Sequence, residues 1–413
     1  MKFIFADAQD TIDPGYNFIT DEFSPDRVLQ RTDKYPHEVF KKKPYDGMLV
    51  SRGLLDDGVY KSSSTAYSAE QTKRLKREGI KKFLRYYDGE IFGDNGAFSY
   101  HKLDIPPYEV DETVHYFEDC SFDYGFSLDH IIFEYDKRFD TDGENDDNFK
   151  ISKTMQKRYD ITINNAKEFL LECKKQKVNF HPIGVVQAWS PDTMKQSARQ
   201  LVEMGYDYIA IGGLVPLDVN TCEEIVNAVR EEIGFDIKLH LLGFAKAKQL
   251  ERFLKYRITS FDSTSPLIKA FKDAKDNYFT PDKHYSAIRI PSSDTTPALK
   301  RKISSGLIDQ KTAQNLERNA LSSIREYDKG NTSLEYTLEC LEKYEKIFRD
   351  KVPIERYKDI LSSKYWQRCQ CEVCQDIKIE TIIFRNSNRN KRRGFHNLWQ
   401  FQRELEELRE GKN

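Results

Sequence analysis

The sequence predicts an α/β fold: a closed (β/α)8 barrel of the TIM type, followed by a helical appendage and a small cysteine-rich C-terminal subdomain. Three observations carry this. Short apolar runs alternate with amphipathic stretches between about residues 90 and 266. Beyond residue 293 helical patterns follow one another with no strand between them. Near the C-terminus Cys369, Cys371 and Cys374 crowd together, with His396 downstream.

The apolar runs are 124–133, 183–186, 208–211, 239–242 and 258–261. They lack a polar face, as expected of parallel strands covered on both sides. Between them the helical period predicts helices over 161–175, 191–204, 220–233 and 245–256. Helix 191–204 has Ser190 as N-cap, Pro191 in its first turn and Gly205 just past its end, each a residue type favoured at that place. Strand and helix alternating this regularly mean βαβ units and a parallel sheet. About eight units within roughly 200–250 residues favour closure into a barrel. A doubly wound sheet ranks second, because no glycine-rich turn follows the first strand. Residues 307–323 and 334–348 read as polar-faced helices, and 397–409 sets Leu398, Phe401, Leu405 and Leu408 on one helical face. The expected division is a barrel with an N-terminal extension (1–290), a helical segment (291–363) and a metal-binding subdomain (364–413).

Composition narrows the function. The chain has 413 residues, and 38% hydrophobic and 13% aromatic content is enough for a large core. Lys and Arg number 65 against 67 Asp and Glu, a net charge of −2, so any polyanion site must be a local patch. No apolar run is long enough to span a membrane, and the N-terminus turns acidic by Asp7, without the hydrophobic stretch of a signal peptide. A soluble cytoplasmic protein with reduced thiols is expected. The segment 134–147 carries seven carboxylates against Lys137 and Arg138 and reads as an exposed acidic loop.

The cysteine cluster has the spacing C-x-C-x2-C-x21-H. Three thiolates and one imidazole make a closed tetrahedral zinc site with no position left for water, so one structural zinc ion per chain is expected at Cys369, Cys371, Cys374 and His396. Its role would be to pin the terminal helix to the segment before it.

Chemistry is expected where barrel strands end. The apolar runs end in Asp94-Asn95-Gly96-Ala97-Phe98, in Ser127-Leu128-Asp129-His130, in Val186-Gln187, in Ile211-Gly212-Gly213-Leu214 and in Phe261-Asp262-Ser263. Each has a plain reading: an aspartate there often caps the next helix, and paired glycines often make a turn. Their joint occurrence would bring three carboxylates, an amide, exposed backbone and an aromatic to one mouth. Paired carboxylates suit glycosidic chemistry, one attacking an anomeric carbon while the other handles protons. Phe98 would stack on a planar ligand read along its edge by Asp129, Gln187 and the Gly213 amide.

These motifs resemble the tRNA-guanine transglycosylase superfamily, zinc-bearing barrel enzymes that exchange guanine for a 7-deazaguanine. The resemblance covers about residues 90–270 and resumes at 369–396. It implies Asp262 as nucleophile and Asp94 as general acid and base. It further implies base binding by Phe98, Asp129, Gln187, Gly212, Gly213 and Leu214. The sequence departs from the branch that acts on tRNA: Asn95, Ala97 and Ser99 replace Ser, Gly and Gln, and Ser263-Thr264-Ser265-Pro266 lacks an arginine expected after the nucleophile. The motifs 94–100, 127–130 and 261–266, with the opening Phe5-Ala6-Asp7-Ala8-Gln9-Asp10, instead resemble the DNA-modifying DpdA branch. That implies DNA as substrate, 7-cyano-7-deazaguanine as incoming base and an ATPase-like accessory protein for DNA access. Competing expectations are the same exchange on tRNA, a non-catalytic zinc-stabilised nucleic-acid-binding barrel, and an ordinary glycoside hydrolase or lyase.

Two basic runs are candidates for backbone contacts. One is Lys73, Arg74, Lys76, Arg77, Lys81, Lys82 and Arg85; the other, expected to be held by the zinc lobe, is Arg385, Arg389, Lys391, Arg392 and Arg393.

Overall fold

The structure is a computed structural model that describes residues 1–55, 66–142, 146–244 and 247–411. The chain forms two compact units: residues 1–9 with 45–264, and residues 10–44 with 265–413.

The first unit is a closed barrel of eight parallel strands: β1 (Lys2–Ala6), β2 (Gly47–Ser51), β3 (Glu90–Asp94), β4 (Tyr124–Phe126), β5 (His181–Val186), β6 (Tyr208–Ile211), β7 (Lys238–Leu241) and β8 (Ser260–Ser263). Each strand pairs with the next, and β8 closes on β1 with Asp262 opposite Ile4. Ile4, Leu49, Phe92, Phe126, Ile183, Val185, Tyr208 and Ala210 pack together inside it. Burying an aliphatic or Phe side chain of this kind contributes about 1.5–3 kcal/mol. Gly93 and Gly125 leave room for Phe117 on the helix Val110–Asp119: a Cβ at either position would sit 2.4 or 2.6 Å from that ring.

The helices Lys153–Gln176, Pro191–Met204 and Val219–Ile233 fall on the predicted amphipathic stretches. Ser190 caps the second of these by accepting from the Thr193 N–H, and Gly205 closes it at φ 105°. The segment predicted as helix 245–256 is a kinked 3-10 stretch, Ala247–Tyr256; residues 245–246 lie outside the described residues. So do residues 143–145 of the acidic loop. The run 124–133 is strand only through Phe126. From Ser127 to Ile132 it is an irregular loop, fully buried, and burial on all sides is a pattern that periodicity cannot tell from a ladder.

The second unit contains the predicted helical region, with helices Pro297–Ser304, Gln310–Lys329, Leu334–Glu345 and Ile354–Ser363. Its last helix, Ser387–Arg409, starts ten residues ahead of the predicted 397 and packs against the helix Ser265–Lys272. Gly394 makes that approach possible, since a Cβ there would lie 2.9 Å from the Leu267 side chain. The observed units differ from the expected division at 290 and 363. The barrel is complete once β8 pairs with β1, so residues 265–290 have no strand position left to fill. Residues 10–44, between β1 and β2, are compact with the C-terminal segment rather than forming a crossover helix. No helix among the described residues is long and apolar enough to cross a membrane.

Candidate active site and metal centre

The carboxylates sit at the ends of barrel strands. Asp94 is the last residue of β3, Asp262 lies in β8, and Asp129 follows β4 by three residues. Gly96 turns the chain sharply after β3 at φ 80°, and its N–H donates to Asp94 Oδ2 at 2.9 Å. A Cβ on Gly96 would strike Ser51 Oγ at 2.6 Å, and that same hydroxyl donates to Asp94. Asn95 is fully buried, its amide donating to the Phe126 carbonyl at 2.9 Å and so tying the two loops together.

Burial pushes Asp94 up to about 6, and the charge of Asp262 adds to the shift. Burial likewise pushes Asp129 up to about 7, helped by Asp94 and opposed by the Gln187 amide. The charge of Asp94 is thus linked to both Asp129 and Asp262. Carboxyl groups held near neutrality in a strand-end cluster can both give and take protons.

Asp262 is held differently. Its Oδ1 accepts from the Gly243 N–H at 2.8 Å and from His240 Nε2 at 3.2 Å. His240, fully buried on β7, uses its other ring nitrogen on Ser260 Oγ, and Ser260 meets Tyr208 Oη at 2.6 Å. A carboxylate only accepts, so His240 Nε2 donates to Asp262; with a neutral imidazole, Ser260 then donates to His240 Nδ1 and Tyr208 to Ser260. Two donors thus fix Oδ1, and Oδ2 accepts no hydrogen bond among the described residues. Sequence reasoning missed His240, Ser260 and Tyr208. The signal was Ser260 and Asp262 two apart on one strand, which aims both to the same side. The register then sets His240 opposite Ser260.

Gln187 follows β5 directly. It donates to Asp129 Oδ2 at 2.8 Å and accepts from the Ile132 N–H at 3.2 Å. Gly212 is required there, since a Cβ would lie 2.1 Å from Gln187 Nε2. Gly213 has φ 76° and lies against the Ile132 carbonyl. Leu214 is fully buried behind them. Phe98 is 53% exposed, with its ring edge-to-face against Phe133 at 5.9 Å. The structure thus links Asp94, Asp129, Gln187, Gly212, Gly213 and Asp262 by hydrogen bonds, close packing and charge, and leaves an aromatic face open on the loop after β3.

The predicted metal ligands also come together. The ligand atoms of Cys369, Cys371, Cys374 and His396 lie within 4.8 Å of one another, all buried. The three Sγ atoms stand 3.6, 3.3 and 3.4 Å from His396 Nδ1. His396 Nε2 lies 2.7 Å from the Phe279 carbonyl, which must receive a proton, so Nδ1 turns its lone pair to the thiols. Tyr278 stacks on the imidazole at 4.4 Å. This donor set is able to coordinate a metal ion.

The basic run 385–393 is not a solvent-facing patch, which corrects the expectation. Arg385 bonds Asp21 and Glu317, Arg389 bonds Asp21 and Glu380, and Arg392 bonds Asp376. Arg393 spends its guanidinium on the carbonyls of Thr381, Ile383 and Ala270, and burial pushes it down to about 9. Lys391 stands 3.9 Å from Asp10. Helical winding turns most of this run inward, where buried cations need partners. In the earlier run, Glu78 takes Arg74 and Arg77, and Asp123 takes Lys81.

Comparison with known proteins agrees with this geometry. The profile of the family described as queuine tRNA-ribosyltransferase matches residues 59–411. A DNA-guanine transglycosylase from Salmonella montevideo is 41% identical over 405 residues, covering 96% of this chain and 95% of that protein.

Proposed function

The chain belongs to the queuine tRNA-ribosyltransferase family, and from that premise we propose that it is a DNA-guanine transglycosylase, exchanging guanine in DNA for a 7-deazaguanine base. The observation that carries this reading is the linked cluster of Asp94, Asp129 and Asp262, in a chain 41% identical along nearly its whole length to a DNA-guanine transglycosylase.

In the proposed mechanism Asp262 Oδ2 attacks C1′ of a deoxyguanosine. The C1′–N9 bond breaks, an aspartyl ester forms, and Asp94 gives the departing guanine a proton. The incoming base then loses its N9 proton to Asp94, attacks C1′ and releases Asp262. A group near pH 6 suits both transfers, because neither direction is steeply uphill at neutral pH. Asp129 and Gln187 would hold the edge of the base, with the backbone at Gly212, Gly213 and Leu214 along the next strand end. The exposed ring of Phe98 would stack on it. A base within a duplex cannot present C1′ to a strand-end site, so the nucleotide is flipped or the strand opened.

We assign the metal as one structural zinc ion. A tetrahedron with thiolates at about 2.3 Å and imidazole at about 2.0 Å sets S and N about 3.5 Å apart. The observed separations of 3.3–3.6 Å support this. Bound there, zinc would supply a cross-link and no reaction chemistry. Seven buried cysteines, none in a disulfide, fit a reducing cytoplasm. We take 7-cyano-7-deazaguanine as the incoming base and an ATPase-like protein as helper.

The test incubates the metal-loaded protein with radiolabelled guanine and either plasmid DNA or bulk tRNA, with and without cell extract. Label in DNA is expected. Label in tRNA alone would favour the second reading, exchange on tRNA, which the description of the matching family motivates.

A further inference from the structure

The second unit contains a cavity of about 560 Å3 whose lining includes Arg289, Arg349, Lys351 and Arg356, with Glu355 as the lining carboxylate. Val352, Pro353 and Phe384 make part of its wall apolar. Arg349 is committed: its Nε lies 3.1 Å from Glu345 Oε2, and Glu345 is buried and also held by the Tyr357 hydroxyl. Arg289, Lys351 and Arg356 are exposed; the charge of Arg289 acts on Glu345 from a distance, and Lys351 and Arg356 have no ion-pair partner among the described residues. Elsewhere in this unit Arg385, Arg389 and Arg392 are neutralised by Asp21, Glu317, Glu380 and Asp376. Like charges gathered at one cavity repel each other, and an entering anion relieves that repulsion. Arginine forks match phosphate oxygens bidentately, and an apolar wall suits the sugar between phosphates.

We infer that this cavity binds the phosphodiester backbone of the DNA substrate, an inference that rests on the reading above. Of the two basic runs expected to do so, 385–393 has its arginines engaged by acids and carbonyls, which takes that run out of contention. A chain of net charge −2 attracts a polyanion only through a local patch of this kind.

The test measures binding of a labelled DNA oligonucleotide to the full-length, metal-loaded protein across a salt series. It compares the wild type with Lys351→Gln/Arg356→Gln and with the triple variant that adds Arg289→Gln. Arg349 is left in place because removing it strands Glu345. The slope of log Kobs against log salt should become shallower by about 0.9 for each phosphate no longer neutralised, so by about 2–3 in the triple variant. In the exchange assay KM for DNA should rise while kcat at saturating DNA is unchanged. Melting temperature and metal content, equal to wild type, show that the variants are folded. Equal slopes overturn the inference, as does a wild type with no salt-dependent DNA binding. Weakened binding of polyglutamate with equal DNA slopes also overturns it, in favour of an acidic protein partner. Absence of exchange by the wild type on DNA even with cell extract present to supply the helper would instead refute the functional reading, so the two failures are distinguishable.

Discussion

The barrel and the second unit both bury charge, and they do so in opposite ways. At the barrel strand ends Asp94 and Asp129 are buried beside another carboxylate, and both are pushed well above the ordinary range. In the second unit Arg389 and Arg392 are also buried and Arg385 is largely so, yet each meets a carboxylate. Burying a charge is costly unless it is paired. The arginines meet that condition and cross-link segments far apart in the chain; Arg389 and Asp21 are 368 residues apart. The aspartates violate it, and a violation that folding does not need marks where chemistry is done.

The sharpest way to break this contrast is Asp262→Ala. Exchange should fall by roughly 10^4-fold or more, as for loss of a covalent nucleophile, with metal content and melting temperature unchanged. A variant that still exchanged base would remove Asp262 from the mechanism.

Next in size is Arg389→Met, which removes a buried cation shared by Asp21 and Glu380 and leaves them only Arg385 and Arg325. Breaking one partner of a buried pair costs about 3–5 kcal/mol, so chemical denaturation should reveal a markedly less stable protein. Little change would mean that the arginine network is not structural. Metal removal by a strong chelator should destabilise the same unit, because structural sites of this kind contribute folding energy directly.

His240→Phe tests the hydrogen-bond chain at Asp262. It removes one of the two donors on Asp262 Oδ1, and kcat should drop about 10–100-fold with KM little altered. His240→Gln, which can still donate, should restore part of that loss. If both variants fall equally, the hydrogen bond is not what positions Asp262.

The smallest effect concerns pH and has a definite sign. Folded Asp129 titrates near 7, above the usual value of an unfolded aspartate near 3.9. Between those values the native state holds more protons than the unfolded state, so stability contributed by this site falls as pH rises from about 4 to about 7. Asp129→Asn should therefore melt higher than wild type at pH 8, by about 2 °C or more, while binding the base poorly. Equal melting at pH 8 would show that the raised titration does not couple to folding. In single turnover, formation of the aspartyl ester should slow as pH rises through about 6, where Asp94 loses its proton.

Much of the fold was legible because its determinants are local. Residues 208–211 and 191–204 are strand and helix where periodicity and caps put them, since both signals lie within a dozen residues of each other. The cluster able to coordinate a metal was legible for a related reason: thiols at this spacing have few other uses. Strands β1 and β2 escaped because residues 10–44 interrupt the alternation between them. The loop 127–132 was misread as strand because burial on all sides looks the same in either conformation.

What the sequence by itself determined is the set of chemical groups and their place at strand ends: Asp94, Asp129, Gln187, Gly212, Gly213 and Asp262, and the Cys369–His396 donors. Only the tertiary structure decided what surrounds them. It set His240 against Asp262 through strand register, and turned Arg389 and Arg393 inward to acids and carbonyls far along the chain. It left Arg289, Lys351 and Arg356 facing solvent instead. The physical reason is that a residue type carries its own chemistry, whereas desolvation and the nearest opposite charge belong to its neighbours, and those neighbours are chosen by folding.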